Sequence, residues 1–303
     1  MGKFSCYIKS ARLRTLPLSL AGIITGVGLA AADYRINALV AFLTALTAVC
    51  LQILSNVSNE YGDFIHGTDN EYRQGPKYSL GEMSDKDYRR MVLFWVFASG
   101  ISGLAMIWTS YGTLMQLEPV MFLILGVFAI TAAMRYTLGS HPYGYSGHGD
   151  IAVFIFFGLT TVLGSYFLVA HEIPSWYLVL PASSVGLLAV GVLNVNNLRD
   201  MKTDADNKIT VALRLGERKA KIYQTLLICL AWALMVIYVC GCRIFDWWHL
   251  LFVLTLPIFT VHIAGVWRKS DGALDRYLPM LVIGIFLMSI CLAVGFNAYR
   301  WFY

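Results

Sequence analysis

Nine runs of about 20 mostly apolar residues constrain this chain more than any other feature of its sequence. They fall at roughly 15–32, 36–58, 91–111, 119–137, 150–170, 176–197, 222–240, 247–266 and 278–299. Each is long enough to cross a hydrocarbon core of about 30 Å. Backbone N–H and C=O groups find no water there, so each run must satisfy its own hydrogen bonds as a helix. The alternating polar and apolar pattern of barrel strands is missing. Composition agrees: 58% of residues are hydrophobic, 14% are charged and mean hydropathy is +0.63, against about 25% charged in a soluble domain. The same figures exclude a disordered chain, a collagen-like repeat and a disulfide-rich secreted module. The expectation is an all-α polytopic membrane protein. Nine transmembrane helices should form a single bundle around a lipid-embedded cavity, with residues 1–303 as one domain.

The basic residues orient the bundle. With the N-terminus inside, 20 of the 23 Lys and Arg residues fall on the inner side, and only Arg35, Arg243 and Arg300 fall outside. Lys and Arg favour the cytoplasmic face. The N-terminus and the long loops are therefore expected in the cytoplasm and the C-terminus outside, in a cytoplasmic (inner) membrane. The first 33 residues also have the outline of a signal peptide, but their apolar part is long for one. The net charge of +5 follows from the inner loops, and no recognition motif points to nucleic acid. The six cysteines lie in or beside the apolar runs without a metal-type or paired spacing, which suits packing. Oligomeric state is left open.

Two inner loops concentrate the polar residues. The first begins Asn56-Val-Ser-Asn59-Glu60-Tyr-Gly-Asp63 and continues to Gly67 and Asp69. On a helix, Asn59 and Asp63 share one face with Asn56 a turn earlier, and Gly67 lets the chain turn so that Asp69 can fold back toward them. In the second, Asn196, Asp200 and Asp204 recur at intervals of four and make one stripe over two turns. Solvated helix ends would account for one such aspartate. Two Asn-x-x-x-Asp stripes at the membrane edge, four spans apart, point to a site, because carboxylates there are costly and usually functional. Hard oxygen donors in this pattern suit Mg²⁺, which shares its coordination with substrate phosphates. Arg73, Lys77, Arg199, Lys202 and Lys208 add nearby positive charge. The pattern predicts a diphosphate held through magnesium at the cytoplasmic mouth of the bundle. A secondary transporter is the competing class, but it should carry its ionisable residues near the bilayer midplane.

At these residues the sequence resembles the UbiA superfamily of intramembrane prenyltransferases, which pairs an Asn/Asp-rich motif after the second of nine helices with an Asp-x-x-x-Asp motif after the sixth. The narrower resemblance is to the branch acting on 1,4-dihydroxy-2-naphthoate in menaquinone formation. It rests on Arg12-Leu-Arg14-Thr-Leu-Pro17, on Asn59 to Asp69 followed by Arg73-Gln-Gly-Pro76, on Tyr136-Thr137 with Gly144-Tyr145-Ser-Gly147-His-Gly149-Asp150, and on Asn196-Asn197-Leu-Arg199-Asp200-Met-Lys-Thr-Asp204 followed by Lys208-Ile-Thr210. Two departures stand out: Glu60, where the branch often has Asp, and His141 with His148 in the middle signature.

The resemblance implies transfer of a polyprenyl group from polyprenyl diphosphate to an aromatic acceptor, with loss of diphosphate and CO₂. It assigns Asn59, Asp63 and Asp69 to one Mg²⁺ and Asn196, Asp200 and Asp204 to another. Lys77, Arg199 and Lys208 become candidate diphosphate clamps, with Arg73 and Asn56 as further substrate contacts. Lys202 fits a surface anchor as well as a substrate contact. Arg12 or Arg14 could meet the acceptor carboxylate, or serve only to orient the chain. Tyr136, Tyr143, Tyr145 and His141 are candidates for handling the phenolic proton, and each also suits the interfacial aromatic belt. Asp150 fits a helix cap. A transferase of the same superfamily with a different acceptor is the nearest alternative.

Overall fold

The computed structural model describes residues 3–66, 83–140, 142–205, 208–242 and 245–298. A short helix α1 (Lys3–Ser10) precedes the first span and has no counterpart among the apolar runs. The spans follow as α2 (Leu16–Asp33), α3 (Ala38–His66), α4 (Asp85–Tyr111) and α5 (Leu117–Arg135). The fifth is composite, with α6 (Gly149–Val153), a π-helical stretch (Phe154–Thr160) and α7 (Thr161–Ala170). The sixth is α8 (Val179–Arg199), trailed by short α9 (Met201–Asp204) and α10 (Val211–Leu215). Then come α11 (Glu217–Cys240), a 3-10 stretch (Trp247–Thr255) leading into α12 (Leu256–Arg268), and α13 (Tyr277–Asn297). Among the described residues, nine helices are long and apolar enough to cross a membrane. The chain is an integral membrane protein.

The boundaries depart from the apolar runs where polar residues extend a helix. α3 continues eight residues past the expected end at 58, so that Asn59 and Asp63 are helical. α4 begins six residues early because Ser84 and Asp87 form a reciprocal capping box, which satisfies backbone donors at its start. It ends at Gly112, whose φ of 67° suits a residue without Cβ. The eighth span opens as a 3-10 stretch and becomes α-helical where Pro257 stands in the first turn.

α8 is the hub, with 72% of its apolar window buried, while α5 has only 11% buried and turns most of its surface outward. α8 packs on α11 and on the π-helical stretch, and α2 lies between α7 and α13. Leu188, Leu281, Ile285 and Met288 are fully buried where α8 and α13 meet the rest of the core. Such burial cannot come from water exclusion between lipid-solvated helices, so close packing carries it. At Gly158 in the π-helical stretch, a Cβ would stand 2.6 Å from the Ala182 carbonyl oxygen and 2.6 Å from Gly186 Cα. Glycine permits that approach of two backbones, and a π-helical insertion of this kind marks functional stretches of helices.

Candidate active site

One end of the bundle gathers polar residues from segments far apart in the chain. Asn56 near the end of α3 donates to the Ala11 carbonyl (2.9 Å) and to Thr15 Oγ1 (3.0 Å), and receives a hydrogen bond from Gln52 (3.2 Å). These bonds fix the turn between α1 and α2. Arg12 sits in that turn at φ 47°, a left-handed conformation that costs a residue with Cβ about 1 kcal/mol or more. Its guanidinium pairs with Glu60, whose Oε1 accepts from Arg12 Nε at 2.8 Å and also from Arg12 Nη2. Glu60 is buried and turned toward Arg12. Its extra methylene, compared with aspartate, reaches this arginine.

The loop between α5 and α6 supplies the next wall. Thr137 Oγ1 lies 2.8 Å from the Ser58 carbonyl and 3.1 Å from Asn59 Oδ1, which presents the Asn59 amide toward the cavity. Gly144 N–H donates to the Tyr136 carbonyl (3.0 Å), and the Tyr136 and Tyr143 rings meet edge to face at 5.3 Å. Ser146 then forms an isolated parallel bridge with Ile209, in which Ile209 N–H donates to the Tyr145 carbonyl at 2.9 Å. That bridge carries the residue before it, Lys208, to Tyr145: the ammonium stands 4.9 Å from the ring centroid, a cation–π contact.

Here the two stripes meet. Lys208 Nζ lies 3.3 Å from Asp63 Oδ1 and 3.3 Å from Asp204 Oδ1, and Tyr145 Oη donates to Asp63 Oδ1 at 2.9 Å. One ammonium thus faces a carboxylate from each motif, although 141 positions separate the two aspartates. Burial pushes the Asp204 carboxyl above its ordinary value. Lys208 opposes that shift, and the negative charges of Asp200 and Asp63 reinforce it. Burial also raises the phenols, Tyr136 far upward and Tyr143 to about 12, so both keep their protons at neutral pH. In that form their hydroxyls can donate to and orient a ligand.

Asn56, Asn59, Asp63, Tyr136, Tyr145, Asn196, Asp200, Asp204, Lys208 and Arg12 all line one cavity of about 370 Å³. Its depth is apolar, walled by residues such as Leu18, Ile23, Leu125, Phe156 and Leu168. Among the described residues, no three carboxylate, imidazole or thiol side chains cluster tightly enough to hold an ion unaided. The donor set nonetheless fits Mg²⁺, which takes one or two carboxylates and fills the rest of its octahedron with water and phosphate oxygens. Asp63 and Asp204 already converge on one cationic point.

Other expected residues stand elsewhere. Arg199 is buried and does not line the cavity. Its Nε and Nη2 fork onto both oxygens of Asp200 (2.9 and 2.6 Å), Nη2 also reaches Asn196 Oδ1 (2.8 Å), and Nη1 donates to Asp275 Oδ1 (2.6 Å). It thus grips the second stripe, with the carboxylate next to it in sequence as a bidentate partner. Arg14 reaches Asp275 at 3.3 Å. Lys202 is exposed and paired with Asp271 at 2.7 Å, as a surface residue. Asp150 accepts from Tyr223 (2.9 Å) and does not cap its helix. Asp69, Arg73, Lys77 and His141 lie outside the described residues. Asp275 carries weight that sequence reasoning missed; it belongs to no stripe, and only its three-dimensional neighbours Arg199 and Arg14 reveal it.

A membrane-embedded helical bundle with an apolar chamber and an Asn/Asp-rich mouth is the form of an intramembrane prenyltransferase. The sequence matches the UbiA prenyltransferase family over residues 19–290, and the chain belongs to that family. It is 42% identical to a 1,4-dihydroxy-2-naphthoate octaprenyltransferase of Haemophilus influenzae, across 97% of this chain and 96% of the relative. The fold matches the apo structure of a UbiA homolog from Aeropyrum pernix with a TM-score of 0.69 at 17% identity, covering 94% of this chain and 98% of the other. It also matches a UbiA homolog from Archaeoglobus fulgidus bound to DMAPP and Mg²⁺, with a TM-score of 0.65 at 14% identity and coverage of 94% and 99%.

Proposed function

We propose that this prenyltransferase joins a polyprenyl group to 1,4-dihydroxy-2-naphthoate, with diphosphate and CO₂ as the other products, in the inner membrane and with its polar mouth toward the cytoplasm. The observation that carries this reading is the convergence of Asp63 and Asp204, one from each motif, on Lys208 at the mouth of an apolar chamber. The relative's printed activity supports the choice of acceptor, and the fold relative that holds DMAPP and Mg²⁺ supports the choice of donor and metal.

The chemical problem is to ionise an allylic C–O bond without surrendering the cation to water. Asn59 and Asp63 on one side, and Asn196, Asp200 and Asp204 on the other, would hold Mg²⁺ together with the diphosphate. When bound, that metal neutralises negative charge growing on the leaving group. Lys208 adds a preorganised ammonium at the same place. The apolar walls keep water from the allylic centre, and the isoprenoid tail lies among them. Arg12, fixed by Glu60 and by the Asn56 hydrogen bonds, offers its guanidinium at the cavity wall to the acceptor carboxylate. Tyr136, held protonated, can orient a ring oxygen.

The test uses purified protein, Mg²⁺, a polyprenyl diphosphate and a panel of aromatic acceptors, with products identified by mass. The prenylated, decarboxylated naphthalene product is expected, and D63A and D200A should abolish turnover while the protein still folds. Normal turnover in either variant, or prenylation of a different acceptor alone, would overturn the reading.

A further inference from the structure

Arg199 and its partners form a second tier beneath the metal-binding stripe, closed by a residue from a distant loop. Arg199 is 2% exposed, in a position where a lone charge would be strongly destabilising. It is shared between Asp200 and Asn196 on its own side and Asp275 on the other. Asp275 lies between α12 and α13, 75 residues beyond Asp200, and also takes Arg14 from the turn before α2. Each carboxylate oxygen has two lone pairs, so Asp200 can accept from Arg199 and still offer lone pairs to the cavity it lines.

We propose that Asp275 is a positioning residue for the second metal-binding stripe. Its carboxylate holds the Arg199 guanidinium from behind, so that Arg199 fixes Asn196 and Asp200 in the orientation that faces the cavity. It also divides the arginine's charge, which would otherwise bear wholly on Asp200 and compete with a divalent cation. Arg14 completes the tie by anchoring Asp275 to the N-terminal turn. This assignment rests on the proposed metal-dependent reading of the site, and its consequence is specific: losing the Asp275 carboxylate should weaken metal binding more than it weakens the fold.

Mn²⁺ can stand in for Mg²⁺, with the free ion counted by electron paramagnetic resonance in the presence of inorganic diphosphate and the full-length protein in nanodiscs. D275N should weaken Mn²⁺ binding about 10- to 100-fold, the range for residues that orient metal ligands. The Mg²⁺ concentration for half-maximal turnover should rise in parallel, and D275E should restore most of the affinity. D271N, which alters the neighbouring exposed pair with Lys202, should bind Mn²⁺ as the wild type does. Wild-type binding in D275N overturns the inference, as does an equal loss in D275N and D271N. If D275N fails to fold, unimpaired Mn²⁺ binding by R199K, which keeps the charge but cannot fork, overturns it instead. If D275N binds normally while D200A loses Mn²⁺, only the positioning role falls; if wild-type protein binds no Mn²⁺, the metal reading falls with it.

Discussion

Lys208 occupies the point where the two polar stripes come together, and its role rests on what it touches. Its ammonium faces Asp63, Asp204 and the Tyr145 ring at once. Without it, two buried carboxylates would face each other across the mouth with one positive charge fewer, and the departing diphosphate would lose a fixed cation. K208A is expected to lower kcat about 10²- to 10³-fold, the range for removing one preorganised electrostatic contact. Steady-state kinetics at saturating Mg²⁺ measure that loss, and circular dichroism checks that the helices persist. In the sequence, Asp63 and Asp204 were legible as members of two stripes, because spacing of four places side chains on one helical face, and Lys208 as a cation beside the second motif. The contacts of Arg199 with Asp200 and Asp275 were not legible there, because a set of nearby cations does not say which carboxylate each one reaches. Sequence reasoning passed over Asp275, an isolated aspartate in a short loop that has no local pattern to betray it.

At the level of elements, the fifth span shows what hydropathy leaves hidden. Its apolar run at 150–170 was plain in the sequence, but the π-helical stretch within it was not, and there Gly158 packs against Gly186 and the Ala182 carbonyl of α8. Phe156, Phe157 and Thr160 of that stretch line the cavity, so contact with α8 and the shape of the chamber are set by the same turn. G158A should force two backbones apart and cost about 1–3 kcal/mol as overpacking. G100A on α4, where a new Cβ would meet nothing within 4 Å, should gain up to about 1 kcal/mol in helix propensity. Thermal unfolding in a single detergent, with both variants compared to wild type, reads the opposite shifts. The helix ends were legible only in part. Polar residues extend α3 and α4 beyond their greasy windows because their hydrogen bonds are made by caps and by the opposing turn, which hydropathy does not register.

For the whole molecule, the count of nine spans followed from run length and the lipid's demand for self-satisfied backbones, and the structure bears it out among the described residues. The family also was legible, because paired stripes four spans apart are a global pattern that survives without coordinates. The direction of insertion was argued from loop charge, and it has its own test. An alkaline phosphatase reporter fused after Tyr303 should be active, and the same reporter fused within the loop after α3 should be silent. Activity in the reverse pattern would turn the bundle over in the membrane. The buried acidic residues of the stripes sit at helix ends on a single face, which is where a transporter of the competing class would not concentrate them.

The chamber passes without a break from a charged rim to a greasy interior. A molecule that is salt at one end and oil at the other can therefore settle with neither part in a foreign medium, and a water-borne aromatic acid can be brought to it from the rim. Two compounds that share no common solvent in the cell acquire one small meeting place, and the reaction between them needs no carrier to move either across the boundary.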